Sequence, residues 1–225
     1  MIKAVFIDVD DTLLDFDESA KMSMCIAAEE MGITLPENIW EIFVDINEVL
    51  WKDLEQGKLT NAELFHVRWT KIFDAAGITS DGPEFEKAFL RGLSLCAPVI
   101  AGAGELMPYL QERYIVGVAS NGPYEQQVNR LEKTGLLSYV DHMFVSGKIG
   151  HAKPSRAFFD ACMEKLGDIH PGEVIMIGDS ISADITGAKD YGMQTCWYDR
   201  YGKGLPDGVE VDHVVRNLVE IREIL

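Results

Sequence analysis

The sequence predicts an α/β protein built on a doubly wound parallel sheet, with an all-helical domain inserted after the first strand. Three observations predict this fold class. A short apolar run near the start ends in carboxylates, a long stretch with helical periodicity follows it, and the rest of the chain alternates between apolar runs and amphipathic segments. Such alternation is typical of a parallel sheet with helices on both faces.

The first strand is predicted at residues 3–9, because this short apolar run is rich in β-forming residues. Glycine and proline breaks divide the next stretch, which shows no strand pattern. Its helices are predicted at 19–31, 38–56, 61–76 and 83–93. A connection of this length inside a compact fold is usually functional. We therefore expect a core domain of residues 1–16 and 97–225, and a helical cap domain of residues 17–96.

Short strands and helices alternate through the second part of the chain. The strands are predicted at 114–119, 142–145, 174–177, 195–198 and 211–215. The helices are predicted at 104–112, 124–134, 155–166, 181–191 and 218–224. This order indicates a Rossmann-like sheet, whose ligands bind at the carboxyl ends of the strands.

The charge of the chain restricts its partners. It has 20 basic and 37 acidic residues among 225, a formal net charge of −17. A nucleic-acid polymer needs a basic face, and an anionic membrane surface would repel this protein. A small phosphorylated metabolite is still an acceptable substrate, because a bound metal ion can reverse the local field of a site.

The cysteines and the N-terminus indicate a cytoplasmic protein, which we expect to be a monomer or a homodimer. The four cysteines show no paired spacing, and we expect free, mostly buried thiols: Cys25, Cys96, Cys162 and Cys196. The N-terminal apolar run is too short and too acidic for a signal peptide. No apolar run reaches the roughly 18 residues of a membrane span.

Polar side chains of reactive type follow four segments of the predicted sheet. In chain order these groups are Asp8, Asp10, Asp11 and Thr12; Ser120 and Asn121; Lys153, followed by Pro154; and Asp179, Ser180 and Asp184. Because the carboxyl ends of parallel strands meet at one edge, we expect these groups to converge although they are far apart in the sequence.

The pattern Asp-x-Asp-x-Thr, Ser-Asn, Lys-Pro and Gly-Asp-Ser-x-x-x-Asp, in that order, resembles the haloacid dehalogenase superfamily. The resemblance covers essentially the whole chain, since the predicted helical insert is similar to the α-helical cap that this superfamily carries after its first motif. Each motif alone is weak, and the four in order are specific.

The resemblance implies phosphoryl chemistry at the first motif. Asp8 would attack phosphorus and form an aspartyl phosphate. Asp10 would protonate the leaving group and then take a proton from the attacking water. Mg²⁺ would be held by Asp8, Asp179 and the backbone carbonyl of Asp10, all of them hard oxygen ligands.

The remaining motif residues are expected around the phosphoryl group and the metal. Thr12, Ser120 and Asn121 would hydrogen-bond the phosphoryl oxygens, and Lys153 would neutralise their charge. Asp184 and Ser180 would lie behind the metal ligands, with Asp184 either supporting them or orienting Lys153. For Asp11, a helix-capping role is as good an expectation as a catalytic one.

Two further features narrow the expected reaction. Asp10 favours phosphoryl transfer over carbon–halogen hydrolysis, which needs no second aspartate. Asp11 favours the phosphatases over the phosphosugar mutases, and residues 183–198 resemble the pyrimidine 5′-nucleotidases. We therefore expect a Mg²⁺-dependent phosphatase acting on a nucleoside 5′-monophosphate. A phosphosugar phosphatase or a β-phosphoglucomutase-like mutase is the alternative.

A non-catalytic phospho-receiver or binding module is disfavoured. Receivers also combine acidic residues, a hydroxyl and a lysine on an α/β sheet, but they are shorter and have no helical insert. The expected cap carries 7 basic and 15 acidic residues over positions 17–96, so phosphate binding is assigned to the core. Its aromatic residues, such as Trp51 and Phe65, would form the cap's own core or line a substrate slot.

Overall fold

The computed structural model describes all 225 residues, which divide into two compact units. One unit comprises Met1–Phe16 and Ala97–Leu225, and the other comprises Asp17–Cys96. None of its helices combines the length and the hydrophobicity that a membrane span requires.

The first unit is built on a six-stranded parallel sheet, as predicted. Its strands are β1 (Ala4–Ile7), β2 (Ile115–Ser120), β3 (His142–Val145), β4 (Val174–Gly178), β5 (Gln194–Tyr198) and β6 (His213–Val215). They are ordered β3-β2-β1-β4-β5-β6. The chain therefore winds outward from β1 in both directions, and β1 pairs with β2 and β4 at the centre. The α/β fold class is confirmed.

The second unit contains helices alone. They are α1 (Phe16–Met31, whose first residue belongs to the first unit), α2 (Ile39–Glu55), α3 (Asn61–Ala76) and α4 (Gly82–Leu95). Local sequence fixes the starts of α3 and α4. At α3, Thr60 and Glu63 form a reciprocal capping box. At α4, the Asp81 side chain accepts a hydrogen bond from the Glu84 N–H.

Aromatic packing forms the core of the helical unit. The ring of Trp69 lies 4.3 Å from Phe85 and 5.2 Å from Phe89, centroid to centroid. Trp69 and Phe43 are buried, whereas Trp51 and Phe65 are partly exposed. Trp69 and Phe43 therefore belong to the core of the helical unit, as expected for cap aromatics. A contact between the substrate and Trp51 or Phe65 stays a prediction.

Six further helices surround the sheet. They are α5 (Ala103–Gln111), α6 (Tyr124–Lys133), α7 (Ser146–Ile149), α8 (Arg156–Leu166), α9 (Gly187–Tyr191) and α10 (Ile221–Ile224). Apolar residues of alternate strand positions pack on opposite faces, with Val5 and Ile7 on one side and Ala4 and Phe6 on the other. The central strands β1 and β4 are buried on both faces, which is why they appear as continuous apolar runs.

Several element boundaries differ from the prediction. The helix predicted at 181–191 is a π turn at Ile181–Thr186 followed by α9, because the Ile185 N–H bonds to the Ser180 carbonyl five residues earlier. The helix predicted at 218–224 starts with a 3₁₀ turn at Leu218–Glu220. Strand β6 is shorter than predicted, because the Asp212 side chain accepts the Thr195 N–H and replaces a strand-pairing bond.

The first strand also ends earlier than predicted, at Ile7. The chain turns at Val9, whose carbonyl accepts backbone hydrogen bonds from Leu13 and Leu14. The cysteine prediction is confirmed, because all four thiols are free and three of them are buried.

Candidate active site

The predicted site residues lie at the carboxyl edge of the sheet. Asp8 follows β1 directly, Ser120 ends β2, and Asp179 follows the last residue of β4. Lys153 comes from the segment between α7 and α8. The parallel register of β1 with β2 and β4 aligns these strand ends, so residues distant in sequence meet in space.

Lys153 is the cation of this edge, and its side chain is only 2% exposed. Its Nζ donates hydrogen bonds of 2.6 Å to Asp8 Oδ1, Asp184 Oδ1 and the carbonyl of Ala119. Burial alone lowers the pKa of Lys153, but the carboxylates of Asp184 and Asp8 outweigh it and hold the pKa above its usual value. Lys153 therefore keeps its charge while buried.

Asn121 fixes the backbone of Lys153. Its Oδ1 accepts the Lys153 N–H at 2.8 Å, and its Nδ2 donates to the Lys153 carbonyl at 2.9 Å. The side chain that the sequence assigned to the phosphoryl group thus positions the lysine in this structure. Contact between the Asn121 side chain and a phosphoryl group stays a prediction.

Three carboxylates crowd around Lys153. Carboxylate oxygens of Asp8, Asp179 and Asp184 all lie within 4.8 Å of one another. Burial raises the pKa of Asp8 to about 8, with Asp184 and Asp10 adding to the effect and Lys153 opposing it. Burial, followed by the charges of Asp8 and Asp184, also raises the pKa of Asp179 well above its usual range. Burial and mutual repulsion therefore both favour the neutral forms of Asp8 and Asp179 at this edge.

Asp184 is held from two sides. Besides its bond to Lys153, its Oδ2 accepts the Ser180 N–H at 3.1 Å. The side chain lies so close to Gly178 that a Cβ there would sit 2.1 Å from Asp184 Oδ2. The glycine at the end of β4 is therefore what allows Asp184 to reach Lys153. Ser180 Oγ accepts the Ala183 N–H and caps the π turn.

Asp179 is anchored by two neighbours. Thr12 Oγ1 lies 3.5 Å from Asp179 Oδ1, and the Trp197 indole N–H donates to the Asp179 carbonyl at 2.8 Å. Thr12 is fully buried. Its contact with Asp179 orients a carboxylate, and the predicted contact with a phosphoryl group stays a prediction.

Two residues that the sequence analysis missed bind the Asp10 carboxylate. Arg130 Nη1 donates to Asp10 Oδ1 at 2.5 Å, and Gln127 Nε2 donates to Asp10 Oδ2 at 2.6 Å. Gln127 also donates to Ser120 Oγ at 2.9 Å. The only signal in the sequence is the spacing of two polar residues by three positions on α6, which places them on one face.

Asp11 lies within the first motif and caps a helix. Its backbone is left-handed, with φ of 58°, and its Oδ1 accepts the N–H of Phe16, the first residue of α1. Arg200, a third residue that the sequence analysis missed, has its Nη1 3.4 Å from the same oxygen. Of the two roles expected for Asp11, the structure shows the capping one.

Residues 2–192 match the family model described as haloacid dehalogenase-like hydrolase. This match covers most of the chain. The chain belongs to the haloacid dehalogenase-like hydrolase family. The resemblance inferred from the four motifs is confirmed, and the receiver and binding-module alternatives are set aside.

Individual members of this hydrolase family match the chain along nearly its full length. The HAD-hydrolase YfnB of Bacillus subtilis is 30% identical over 223 residues, covering 99% of this chain and 95% of that protein. Its crystal structure, bound to magnesium, superposes with a TM-score of 0.93 at 29% identity, covering 100% and 98% of the two chains. The fold of this chain is therefore that of a known family member.

Two relatives have named activities. The pyrimidine 5′-nucleotidase PynA of Streptococcus pneumoniae is 31% identical over 198 residues, 88% of this chain and 84% of that protein. The pyrimidine 5′-nucleotidase YjjG of Escherichia coli is 28% identical over 222 residues, 98% and 96% of the two chains. The chain is a phosphatase of the family, a phosphoric monoester hydrolase.

Proposed function

We propose that this phosphatase hydrolyses nucleoside 5′-monophosphates in a Mg²⁺-dependent reaction, through an aspartyl phosphate on Asp8. The observation that carries the proposal is the Lys153 ammonium, which holds the Asp8 carboxylate at 2.6 Å within a cluster of acidic side chains. A nucleophile fixed beside a buried cation suits attack on a phosphoryl group, whose oxygens repel a carboxylate in water.

In the first step, an Asp8 carboxylate oxygen attacks phosphorus and the bond to the ester oxygen breaks. The leaving alkoxide takes a proton from the Asp10 carboxyl group, and the nucleoside leaves as the alcohol. The positive charge of Lys153, beside Asp8, would stabilise the negative charge that develops on the phosphoryl oxygens. Asp10 ends this step as a carboxylate, ready to accept a proton.

In the second step, a water molecule attacks phosphorus and gives one proton to Asp10. The bond between Asp8 and phosphorus breaks, which releases inorganic phosphate and regenerates the Asp8 carboxylate. Both active-site carboxyl groups return to their starting forms, so the balance is one ester and one water converted to one alcohol and one phosphate.

The residues present fit a magnesium ion. Asp8 and Asp179 supply carboxylate oxygens that lie within 4.8 Å of each other, and hard oxygen ligands are the kind that Mg²⁺ prefers. Asp184 already binds Lys153 and Ser180, which leaves Asp8, Asp179 and the Asp10 carbonyl as the proposed ligands. When bound, Mg²⁺ would neutralise and orient the phosphoryl oxygens.

The nucleotide preference rests on similarity to the two pyrimidine 5′-nucleotidases over most of their length. It is tested by phosphate release from UMP, dUMP, TMP and a set of sugar phosphates, with Mg²⁺ and with a chelator. We expect Mg²⁺-dependent release that is fastest from a nucleoside monophosphate. Faster release from a sugar phosphate, or isomerisation of β-glucose 1-phosphate, would support the phosphosugar alternative.

The matched controls for this assay are two aspartate-to-asparagine variants. Asp8→Asn removes the proposed nucleophile, and Asp207→Asn makes the same change at an exposed residue. We expect Asp207→Asn to match the wild type on every substrate. Equal loss of activity in both variants would show that the assay reports something other than the Asp8 site.

A further inference from the structure

The Asp10 carboxylate is bound through both of its oxygens by one face of α6. Arg130 Nη1 donates to Oδ1 and Gln127 Nε2 donates to Oδ2. Arg130 also donates to Gln127 Oε1 at 3.2 Å, so the two side chains support each other. Arg130 and Gln127 are buried, whereas the Asp10 side chain is 30% exposed. The carboxylate thus emerges from a buried polar clamp formed by Gln127 and Arg130.

The clamp also joins Asp10 to the second motif. Gln127 Nε2 donates to Ser120 Oγ as well as to Asp10, and Ser120 Oγ accepts the Gly122 N–H at 3.1 Å. One amide group therefore fixes the distance between the proposed acid of the first motif and the hydroxyl that ends β2. A shift of this amide would therefore disturb both Asp10 and Ser120.

Gly122 provides independent support for a built arrangement. A Cβ at this position would lie 2.5 Å from Gln127 Nε2, nearer than non-bonded atoms approach. The absence of a side chain at Gly122 thus leaves the space that the Gln127 amide occupies. Gln127 is completely buried, so its polar amide group does not serve to make contact with solvent.

We propose that Gln127 and Arg130 are positioning residues, which hold the Asp10 carboxyl group in the orientation needed for both of its proton transfers. The proposal rests on the proposed function. Each carboxylate oxygen has a second lone pair, so the clamp leaves a site for the transferred proton on each oxygen. For proton transfer, the Asp10 carboxyl group must lie within hydrogen-bond distance of the reacting oxygen. The clamp holds this side chain in one rotamer, so no other rotamers compete with the reactive one.

The two proton transfers have different substrate requirements, which makes the clamp testable. A nucleoside is a poor leaving group and needs the proton from Asp10, whereas p-nitrophenolate leaves without one. Hydrolysis of the aspartyl phosphate needs Asp10 as base whatever the substrate was. A misplaced Asp10 therefore slows nucleotide turnover, and with p-nitrophenyl phosphate it lets the phosphorylated enzyme accumulate.

The main variant is Gln127→Met, which keeps the side-chain length and removes the amide. Gln126→Met is the matched control, since Gln126 is the adjacent glutamine of α6 and its Nε2 has no hydrogen-bond partner. We expect kcat on UMP to fall about tenfold to a hundredfold in Gln127→Met with little change in KM, as part of a general acid–base contribution. With p-nitrophenyl phosphate we expect a pre-steady-state burst approaching one nitrophenolate per active site.

Two further variants test the clamp from other directions. Gly122→Ala changes neither clamp residue, but its added methyl group should displace the Gln127 amide. We expect this variant to show the same p-nitrophenolate burst as Gln127→Met. Arg130→Lys retains the charge and is expected to retain more nucleotide turnover than Arg130→Met. A melting curve of each variant shows whether it folds. If Gln127→Met does not fold, the burst of Gly122→Ala and the comparison of the two Arg130 variants test the positioning role instead.

The outcomes separate this proposal from the proposed function. If the folded wild type shows no Mg²⁺-dependent turnover of any phosphomonoester, the proposed function fails. If the wild type is active and folded Gln127→Met matches Gln126→Met in kcat and burst, the positioning role is overturned. Faster nucleotide turnover in Gln127→Met would also overturn it, because the clamp would then restrain Asp10 from acting.

Discussion

Lys153 and Asp184 form an ion pair of 2.6 Å, and their side chains are 2% and 1% exposed. The same ammonium group donates at 2.6 Å to Asp8. Two carboxylates therefore share one buried cation, in a position where salt screens charges much less than at a surface. The stability of this edge, as well as its chemistry, depends on Lys153.

Replacing Lys153 by methionine is expected to destabilise the metal-free protein by about 3–5 kcal/mol at neutral pH, the range for an ion pair broken in a protein interior. The loss leaves Asp8 and Asp184 without their cation. The cost should shrink from alkaline to neutral pH, because the Asp8 carboxyl group takes up a proton as the pH falls through about 8. Urea unfolding at neutral and alkaline pH measures both effects.

The control for this experiment is Lys165→Met, which makes the same change at an exposed residue of α8. Its effect should stay within about 0.5 kcal/mol. A Lys153→Met protein that unfolds at the urea concentration of the control would show that the pair contributes little to stability.

Magnesium is expected to stabilise the protein more at alkaline than at acidic pH. The folded pKa values of Asp8, about 8, and Asp179 lie above the unfolded value of about 3.9. Below the unfolded pKa, the protonated forms of Asp8 and Asp179 are fully compatible with the metal-free fold. Their contribution to its stability is lost as the pH rises through the folded pKa values. Magnesium requires the ionised forms and offsets that loss.

Thermal melting with Mg²⁺ or a chelator, between acidic and mildly alkaline pH, measures this linkage. The melting temperature of the metal-free protein should fall towards alkaline pH, and the rise caused by Mg²⁺ should grow. Asp179→Asn should reduce both trends, because it removes one proposed ligand. A rise caused by Mg²⁺ that is the same at every pH would contradict the assignment of the ligands.

The helical unit contains a buried ion pair whose loss should be costly. Arg68 Nη2 and Nε donate to the two carboxylate oxygens of Glu86, and both side chains are buried. Glu86→Ala leaves a buried guanidinium without its carboxylate, and we expect a loss of about 3–5 kcal/mol in unfolding free energy.

Glu30→Ala is the matched control, because Glu30 pairs with Arg91 at the surface of the same unit. Exposed pairs contribute about 0–1 kcal/mol. Chemical unfolding followed by tryptophan fluorescence compares the two variants. Equal effects would show that burial does not distinguish these two ion pairs.

The sheet and the convergence of its strand ends could be predicted from the sequence. Buried parallel strands are continuous apolar runs, and a parallel register places their carboxyl ends together, so Asp8, Ser120 and Asp179 were expected at one edge. This prediction was possible because each strand, with the polar residues at its end, is encoded by a few consecutive residues.

The clamp of Gln127 and Arg130 could not be predicted, for a physical reason. Most residues of α6 are polar, so the sequence does not show which polar side chains face the interior. Their partner Asp10 lies 117 positions from Gln127. Similarly, the π turn at Ile181–Thr186 depends on a backbone bond back to Ser180, which no apolar periodicity signals.

Asp8→Asn should reduce phosphatase activity by several orders of magnitude. The amide has the shape of the carboxylate, but it is a far poorer nucleophile and metal ligand. A loss of about 5 kcal/mol in transition-state stabilisation corresponds to a rate reduction of more than a thousandfold, since each 1.36 kcal/mol is about tenfold. Steady-state turnover of p-nitrophenyl phosphate measures it, and activity retained within about tenfold would remove Asp8 as the nucleophile.

The central claim is that the reaction passes through a phosphoryl group on Asp8, and acid-quenched mass spectrometry of Asp10→Asn tests it most directly. This variant lacks the base for the second step, so brief reaction with p-nitrophenyl phosphate and Mg²⁺ should trap the intermediate. We predict the added mass of one phosphoryl group, located on the peptide that contains Asp8 and absent when Asp8→Asn is combined with Asp10→Asn. Release of p-nitrophenolate with no phosphorylated protein, or a phosphoryl group on another residue, would contradict the account.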